Sequence, residues 1–396
     1  MQVRFCMIAV FGMAFLAVST QADEETTRAL AAIKSISREG KGNEDAGPAW
    51  KSLVSKGGEA LIPALEAFED SNPTAANWLR TAIAAICDGE KVAGRKLPVD
   101  KLEAFATNTK NPASARSVAF ELLASQDATA KGRLLPGFIN DKSADLRRQA
   151  IELQVEKAEK AGGPDLKNEL QKIYTYTRDK DQIELLAKKL ADLGVQVNVA
   201  EQFGFVTHFA LIGPFDSTEG KGFAKNYPPE TAKDTSAAFQ GKADAKVIWK
   251  LCETTDKYGE FDLNKLLDKH KDAVAYALAV IVAEKETPCD IRVGSPNSVQ
   301  IFLNGKKLAE REEYHHGSPL DANIGKGTLA KGENVIVLKV CQNNQTEPWA
   351  QTWGFQLRVC DATGGPLSGI MQKLAENGKQ IKLGYIPESA LSKEKK

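Results

Sequence analysis

Near Gly194 the hydrophobic pattern of this chain changes period, from about 3.6 residues to about 2, and no single element type satisfies both. The polypeptide must therefore divide into a helical part and a strand part, each burying its own apolar face. Its 396 residues suffice for two or three domains. From Thr26 to about Val197 the helical part also repeats itself. Leu65-Glu66-Ala67-Phe68 with Asn72-Pro73-Thr74-Ala75-Ala76 returns as Leu102-Glu103-Ala104-Phe105 with Asn111-Pro112-Ala113-Ser114-Ala115, at offsets of 37 and 39 residues. Leu134-Leu135-Pro136 opens a third copy, matching Leu61-Ile62-Pro63. A two-helix unit of this period carries a stripe such as Leu61, Leu65 and Phe68, then Trp78, Leu79, Ile83 and Ile86. It cannot bury that stripe alone, so successive units must stack as an α-solenoid. Asn72 and Asn111, each ahead of a proline, are predicted N-caps. Trp50 and Trp78 fall on the stripe and read as core. Helices over Leu166–Arg178 and Gln182–Leu193 would close the array.

Beyond Gly194 the strand candidates are Phe205–Ile212, Lys246–Leu251, Val274–Glu284, Cys289–Val293, Val299–Leu303, Val335–Gln342 and Phe355–Cys360. Asn304-Gly305 supplies the positive φ angles of a type I′ turn and predicts a hairpin from Ile301 to Leu308. Lys331-Gly332-Glu333-Asn334 is a second turn. Closely spaced strands without intervening helices favour an antiparallel β-sandwich. The tail after Leu367 has one amphipathic stretch, Ile370-Met371 to Leu374, read as a packed helix, and a basic end at Ser392–Lys396.

Two resemblances follow from these residues. Pro in a first helix, then Asp, then Leu-Arg in a second, with Arg147 and Arg148 beside Asp145 as ladder residues, resembles HEAT repeats over residues 45–160. Val299–Lys306, Leu329–Asn334 and Trp353–Val359 resemble a galactose-binding-like jelly roll. The whole assembly, with Phe209–Asp216 and Tyr227-Pro228-Pro229-Glu230, resembles uncharacterised exported proteins of planctomycete-type bacteria. The resemblance spans about residues 45–361, and with the readings of both ends it gives four expected segments: a signal peptide at 1–22, a HEAT-like domain at 23–197, a jelly roll at 198–362 and a tail at 363–396, partly helical. It implies carbohydrate as a candidate ligand of the jelly roll and a structural Ca²⁺ as a candidate ion.

A pyranose needs an exposed aromatic platform with polar groups at its rim. The loop from Asn343 through Asn344 and Trp349 to Trp353 carries such residues, and Tyr314, His315 and His316 follow the hairpin. Trp353 runs straight into a strand and reads more simply as core, which leaves Trp349 as the better platform. Adjacent histidines seldom converge on one metal. Asp216, Glu219 and Asp290 are the oxygen-ligand candidates for calcium, without a loop of spaced carboxylates to reinforce them.

No GxSxG, HExxH, P-loop or dinucleotide glycine fingerprint occurs. A pair of glycosidase carboxylates near the domain junction is the catalytic alternative, since such pairs meet in space and not in sequence. The 52 Lys+Arg balance 52 Asp+Glu, so the basic excess expected of a nucleic-acid binder is missing. A basic start, an apolar run of about 14 residues and Thr20-Gln21-Ala22 before Asp23 predict export with cleavage after Ala22. That run is shorter than the roughly 20 residues a membrane span needs. In an oxidising compartment Cys252, Cys289, Cys341 and Cys360 either form one or two bridges or stay as buried thiols; their spacing decides neither. The expected protein is an exported, non-catalytic scaffold whose solenoid docks an unidentified protein and whose jelly roll binds carbohydrate or is purely structural.

Overall fold

In the computed structural model the described residues are 24–37, 40–70, 72–231, 235–374 and 380–382. The leader expected at 1–22 and the basic end at Ser392–Lys396 lie outside them. The first half is helical: α1 (24–34), α2 (Asn43–Ser55), α3 (Leu61–Glu66), α4 (Pro73–Val92), α5 (Val99–Thr107), α6 (Ala113–Gln126), α7 (Ala130–Leu134), α8 (Ala144–Ala161), α9 (Leu166–Tyr174), α10 (Lys180–Asp192) and α11 (Val199–Phe203). Antiparallel sheets follow, from β1 (His208–Asp216), so the change of element type falls close to where the period changes. By compactness the chain divides into units 1–156 and 157–396, and the second unit takes in α9 to α11 with the sheets. No described helix is long and apolar enough to cross a membrane.

In the first unit the stripes merge into one core containing Leu61, Leu65, Phe68, Leu79, Ile83, Ile86, Leu102, Phe105 and Phe120. Trp50 and Trp78 pack on its margin, and the Trp50 indole N–H donates to Thr81 Oγ1 at 3.0 Å. Asn72 caps α4 as expected, its Oδ1 accepting from the Ala75 N–H at 3.1 Å. Asn111 does not cap α6, which begins after Pro112; its Nδ2 turns back to the Phe105 carbonyl instead. The orphan N–H groups of Ala113 and Ser114 are taken by the Asp70 carboxylate, at 3.0 and 3.2 Å, from the turn of the preceding helix pair. One pair on, Arg116 is 1% exposed and makes a bidentate bond to Asp141 at 2.8 and 2.7 Å while donating to the Ala106 carbonyl. Arg116 thus forms a buried link between successive helix pairs, and Asp70 an exposed one. Arg147, expected in that role, is also buried and donates to the Asp141 carbonyl, whereas Arg148 pairs with Glu152 on its own helix. Replacing Asp70 by alanine should cost about 1–2 kcal/mol, read as a lower urea midpoint at unchanged slope; Asn111→Ala should cost less.

The strands of the second unit are β1, β2 (Ala238–Gln240), β3 (Lys246–Ile248), β4 (Lys250–Glu253), β5 (Phe261–Asp262), β6 (Ala273–Ala283), β7 (Thr287–Gly294), β8 (Ser298–Leu303), β9 (Lys306–Arg311), β10 (Asn323–Leu329), β11 (Gly332–Gln342), β12 (Gly354–Cys360), β13 (Ile370–Lys373) and β14 (Gln380–Lys382). One sheet runs β14-β13-β6-β11-β8-β9, with β1 and β4 branching from β6; a second runs β10-β7-β12-β5. Between them lies a core to which β6 contributes Ala275, Ala277, Ala279 and Ile281, and β7 and β12 contribute Ile291, Val293, Leu357 and Val359. The opposite residues of the first sheet, Tyr276, Leu278 and Val337, meet Phe223, Tyr227, Val247 and Trp249 from the 217–249 segment. Both faces of β6 and β11 are therefore covered, which is why these strands read as continuous apolar runs.

The Asn304-Gly305 hairpin forms as expected, with φ of 51° and 79° and Leu303 facing Lys306. The tail differs from expectation. Ile370–Lys373 is a strand, paired from Ile370↔Ala283 to Lys373↔Val280, because the free edge of β6 satisfies its backbone where a lone helical turn would leave it to water. All five described cysteines, Cys87, Cys252, Cys289, Cys341 and Cys360, are free thiols. Burial pushes the Cys289 thiol up to about 11 and those of Cys341 and Cys360 to about 12, so they are protonated and inert at neutral pH.

Candidate functional site

Three loops meet at one end of the sheets, around residues 295–298, 312–322 and 343–353, and a buried set of amides and hydroxyls ties them together. Ser295, Asn297 and Gln342 are each no more than 1% exposed. The Ser295 hydroxyl donates to the Gly354 carbonyl at 2.7 Å. Asn297 donates through Nδ2 to Gln342 Oε1 and to the Thr352 carbonyl, both at 3.1 Å, and its Oδ1 accepts from the Gly354 N–H. From outside, Lys271 Nζ donates to the Ala350 carbonyl at 2.8 Å. Gln351 donates to the carbonyls of Thr346 and Glu347 at 2.6 and 3.0 Å, closing the loop upon itself. Such bracing holds an exposed loop at low conformational freedom.

On this base the short turn Pro348–Ala350 presents Trp349, which is 61% exposed. It is the only exposed tryptophan of the five; Trp249 and Trp353 are buried, and Trp50 and Trp78 are half-buried. The His315 ring stands nearly perpendicular to the indole, with centroids 5.4 Å apart. His315 is fixed in turn: its Nε2 meets Asn343 Oδ1 at 2.8 Å, its N–H donates to the Pro296 carbonyl, and its φ is 60°. Tyr314 lies half-buried beside His315, and burial pushes its phenol up to about 12. Burial first, then the charge of Arg311, hold His316 below the ordinary imidazole range, so it is neutral at pH 7. Asn344 is exposed next to this group. On the other flank of the 343–353 loop is an open groove of about 750 Å³, lined by Asn264, Lys265, Ser318, Gln351 and Thr352 among others.

The structure therefore brings Tyr314, His315, His316, Asn344 and Trp349 to one end of the sheets and removes Trp353. Trp353 is 0% exposed, in the core between the sheets, with its ring perpendicular to that of His270 and centroids 6.4 Å apart. Its carbonyl accepts from the Leu263 N–H, which commits its backbone as well. The bracing residues Ser295, Asn297, Gln342 and Lys271 were not singled out from the sequence. Ser295-Pro296-Asn297 has the local composition of a turn, and its value lies in long-range bonds that spacing does not encode.

The carboxylates proposed for calcium do not gather. Asp290 is buried and bonded to Arg292 at 2.8 Å, Glu219 pairs with Lys221 on the surface, and Asp216 accepts from the Thr218 hydroxyl. Among the described residues no group of three or more His, Cys, Asp or Glu side chains could hold a metal ion.

No protein-family model and no curated protein matches this chain. Among solved structures it is similar to a β-glucosidase from Kluyveromyces marxianus in complex with glucose, at 15% identity and a TM-score of 0.25, over 38% of this chain and 16% of the enzyme. A second structure of that β-glucosidase matches at 10% identity and a TM-score of 0.25, over 63% of this chain and 33% of the enzyme. The PA14 domain of the antifreeze protein MpAFP matches at 9% identity and a TM-score of 0.16, over 28% of this chain and 49% of the domain. The chain thus spans less than half the length of each of these proteins, and at such TM-scores the reading of its function rests on its own geometry.

Proposed function

We propose that this chain is an exported, non-catalytic binding protein, whose strand unit is a galactose-binding-like jelly roll that recognises carbohydrate on Trp349 and whose HEAT-like helical unit docks a protein. The observation that carries the carbohydrate reading is the indole of Trp349, 61% exposed on a loop braced from beneath. An apolar ring that large left to water costs free energy unless a ligand covers it, and the flat CH face of a pyranose does so. Asn344 and the carboxylate of Glu347 are exposed on the same loop, where sugar hydroxyls require partners. The helical reading draws on the links between successive helix pairs, Asp70 to α6 and Arg116 to Asp141. These stiffen a stack whose extended surface suits a protein partner.

The test is binding of the full chain to a glycan array, repeated with Trp349→Ala. Loss of a well-packed aromatic contact is worth about 2 kcal/mol, so affinity for the retained glycan should fall about 30-fold, with the melting temperature unchanged. Binding that survives the substitution, or no binding to any glycan, would leave the solenoid as the working surface. Turnover of a glycan would favour the hydrolase reading instead. For export, N-terminal sequencing of the protein recovered from its host should begin at Asp23.

A further inference from the structure

The first sheet contains a gap that its own topology creates. One edge of β6 serves two partners in succession: β1 from Asp216↔Ala273 to Ala210↔Leu278, and β13 from Lys373↔Val280 to Ile370↔Ala283. Only Ala279 lies between them. At that point β1 leaves β6 and continues with β4 alone, Phe209 facing Cys252 and His208 facing Glu253. The strand ends part around a cavity of about 290 Å³. Leu251 and Glu253 on its rim are exposed, so it is a half-open pocket rather than an enclosed void, and the residue at the handover is an alanine, which leaves it unfilled.

The lining has two characters. Phe209, Leu278 and Val280 make an apolar wall, while His208, Glu253 and Gln372 make a polar one, with the half-buried thiol of Cys252 also on the surface of the cavity. Gln372 is 2% exposed. Its amide N–H donates to the His208 carbonyl, which settles which way the amide points, and its Oε1 accepts from no partner among the described residues. A buried acceptor in that state lacks a donor that folding normally supplies. None of these residues belongs to the Trp349 loops, so the site is independent of the carbohydrate reading.

We propose that this cavity binds a small molecule with an aromatic or aliphatic body and one hydroxyl or amine group, whose donor reaches Gln372 Oε1. A cavity of about 150 Å³ holds one benzene ring, so this one has room for a substituted ring. The probe is phenol, with toluene as a control of equal size and no donor, both applied to the full chain. Cys252 reports occupancy: its alkylation by iodoacetamide is followed peptide by peptide by mass spectrometry, with Cys87 as an internal reference in the helical unit. Because one hydrogen bond is worth about 1 kcal/mol, phenol should slow Cys252 alkylation at a concentration about fivefold below that needed for toluene. Alkylation at Cys87 should not change. Equal protection by the two compounds, or protection by neither, overturns the proposal; no substitution is involved, so misfolding cannot imitate either result.

Discussion

Replacing Asp321 by alanine should destabilise the strand unit by about 3–5 kcal/mol, an effect matched in this chain only by loss of the buried Lys339 ammonium. Asp321 sits on the loop before β10 and faces two guanidinium groups. Arg358 donates to its Oδ1 at 2.7 Å and also bonds Oδ2, and Arg292 reaches Oδ2 at 2.9 Å. Arg292 and Arg358 are cross-strand neighbours on β7 and β12, 12% and 3% exposed in their side chains. Arg358 further donates to the carbonyls of Phe203 and Gly364, so it joins α11 and the 361–365 turn to the sheet. Without Asp321, two buried like charges are left with Asp290 alone to offset them. Urea unfolding checks this, and a loss below about 1 kcal/mol would mean that water or loop movement solvates the pair.

The same carboxylate gives a pH dependence of definite sign. Burial pushes the Asp321 carboxyl up, but hydrogen bonds and charge from Arg358, then from Arg292, outweigh it and leave the group below the ordinary aspartate range. A folded-state pKa lower than the unfolded value of about 3.9 means that the contribution is fully present above that value and is lost as the pH falls through the folded pKa. Acid unfolding of the native chain should therefore be steeper below about pH 4 than that of Asp321→Asn, whose residue 321 does not titrate.

Lys339→Met should cost nearly as much, again about 3–5 kcal/mol. Lys339 is 0% exposed in the middle of β11, and its ammonium uses all three donors, on the carbonyls of Phe223 and Lys225 at 2.9 and 2.7 Å and on Glu230 Oε1 at 3.0 Å. Glu230 Oε1 also accepts from the Tyr276 hydroxyl at 2.7 Å. The rings of Tyr227 and Tyr276 flank the ammonium, and burial pushes the Tyr227 phenol up to about 12. This cluster clamps the 217–231 segment over the outer face of the first sheet. Removing the lysine leaves Glu230 as a buried carboxylate without its cation. The double variant Lys339→Met with Glu230→Gln should regain most of the loss, since a neutral amide can keep the Tyr276 bond. Additive single effects would show that the pair is not coupled.

The Tyr227-Pro228-Pro229-Glu230 motif was visible in the sequence, but its purpose was not. Its partner, Lys339, lies 109 residues away in a run of valine, isoleucine and leucine, where a lysine looks like an exposed position. The cap of α6 is a similar case. Asn111-Pro112 has the local form of a cap, and Asp70, 43 residues upstream, performs it instead. Cysteine spacing left bridges and thiols equally open, and register alone decided: Cys289 faces Gly327, while Cys360 faces Asp290.

What the amino-acid sequence determined by itself was whatever depends on neighbours a few residues apart: helix and strand period, the repeat, the Asn304-Gly305 turn, and the division into a helical and a strand part. These follow from backbone sterics and from which face of a short element is apolar. Tertiary structure alone decided that Asp70 and not Asn111 takes the first N–H groups of α6, that the Ile370–Lys373 stretch joins β6 as a strand, and that Ser295, Asn297 and Gln342 brace the Trp349 loop. In each case the outcome depends on groups far along the chain that desolvate or satisfy a side chain, and a buried polar or aromatic group takes its place from the partners it meets there.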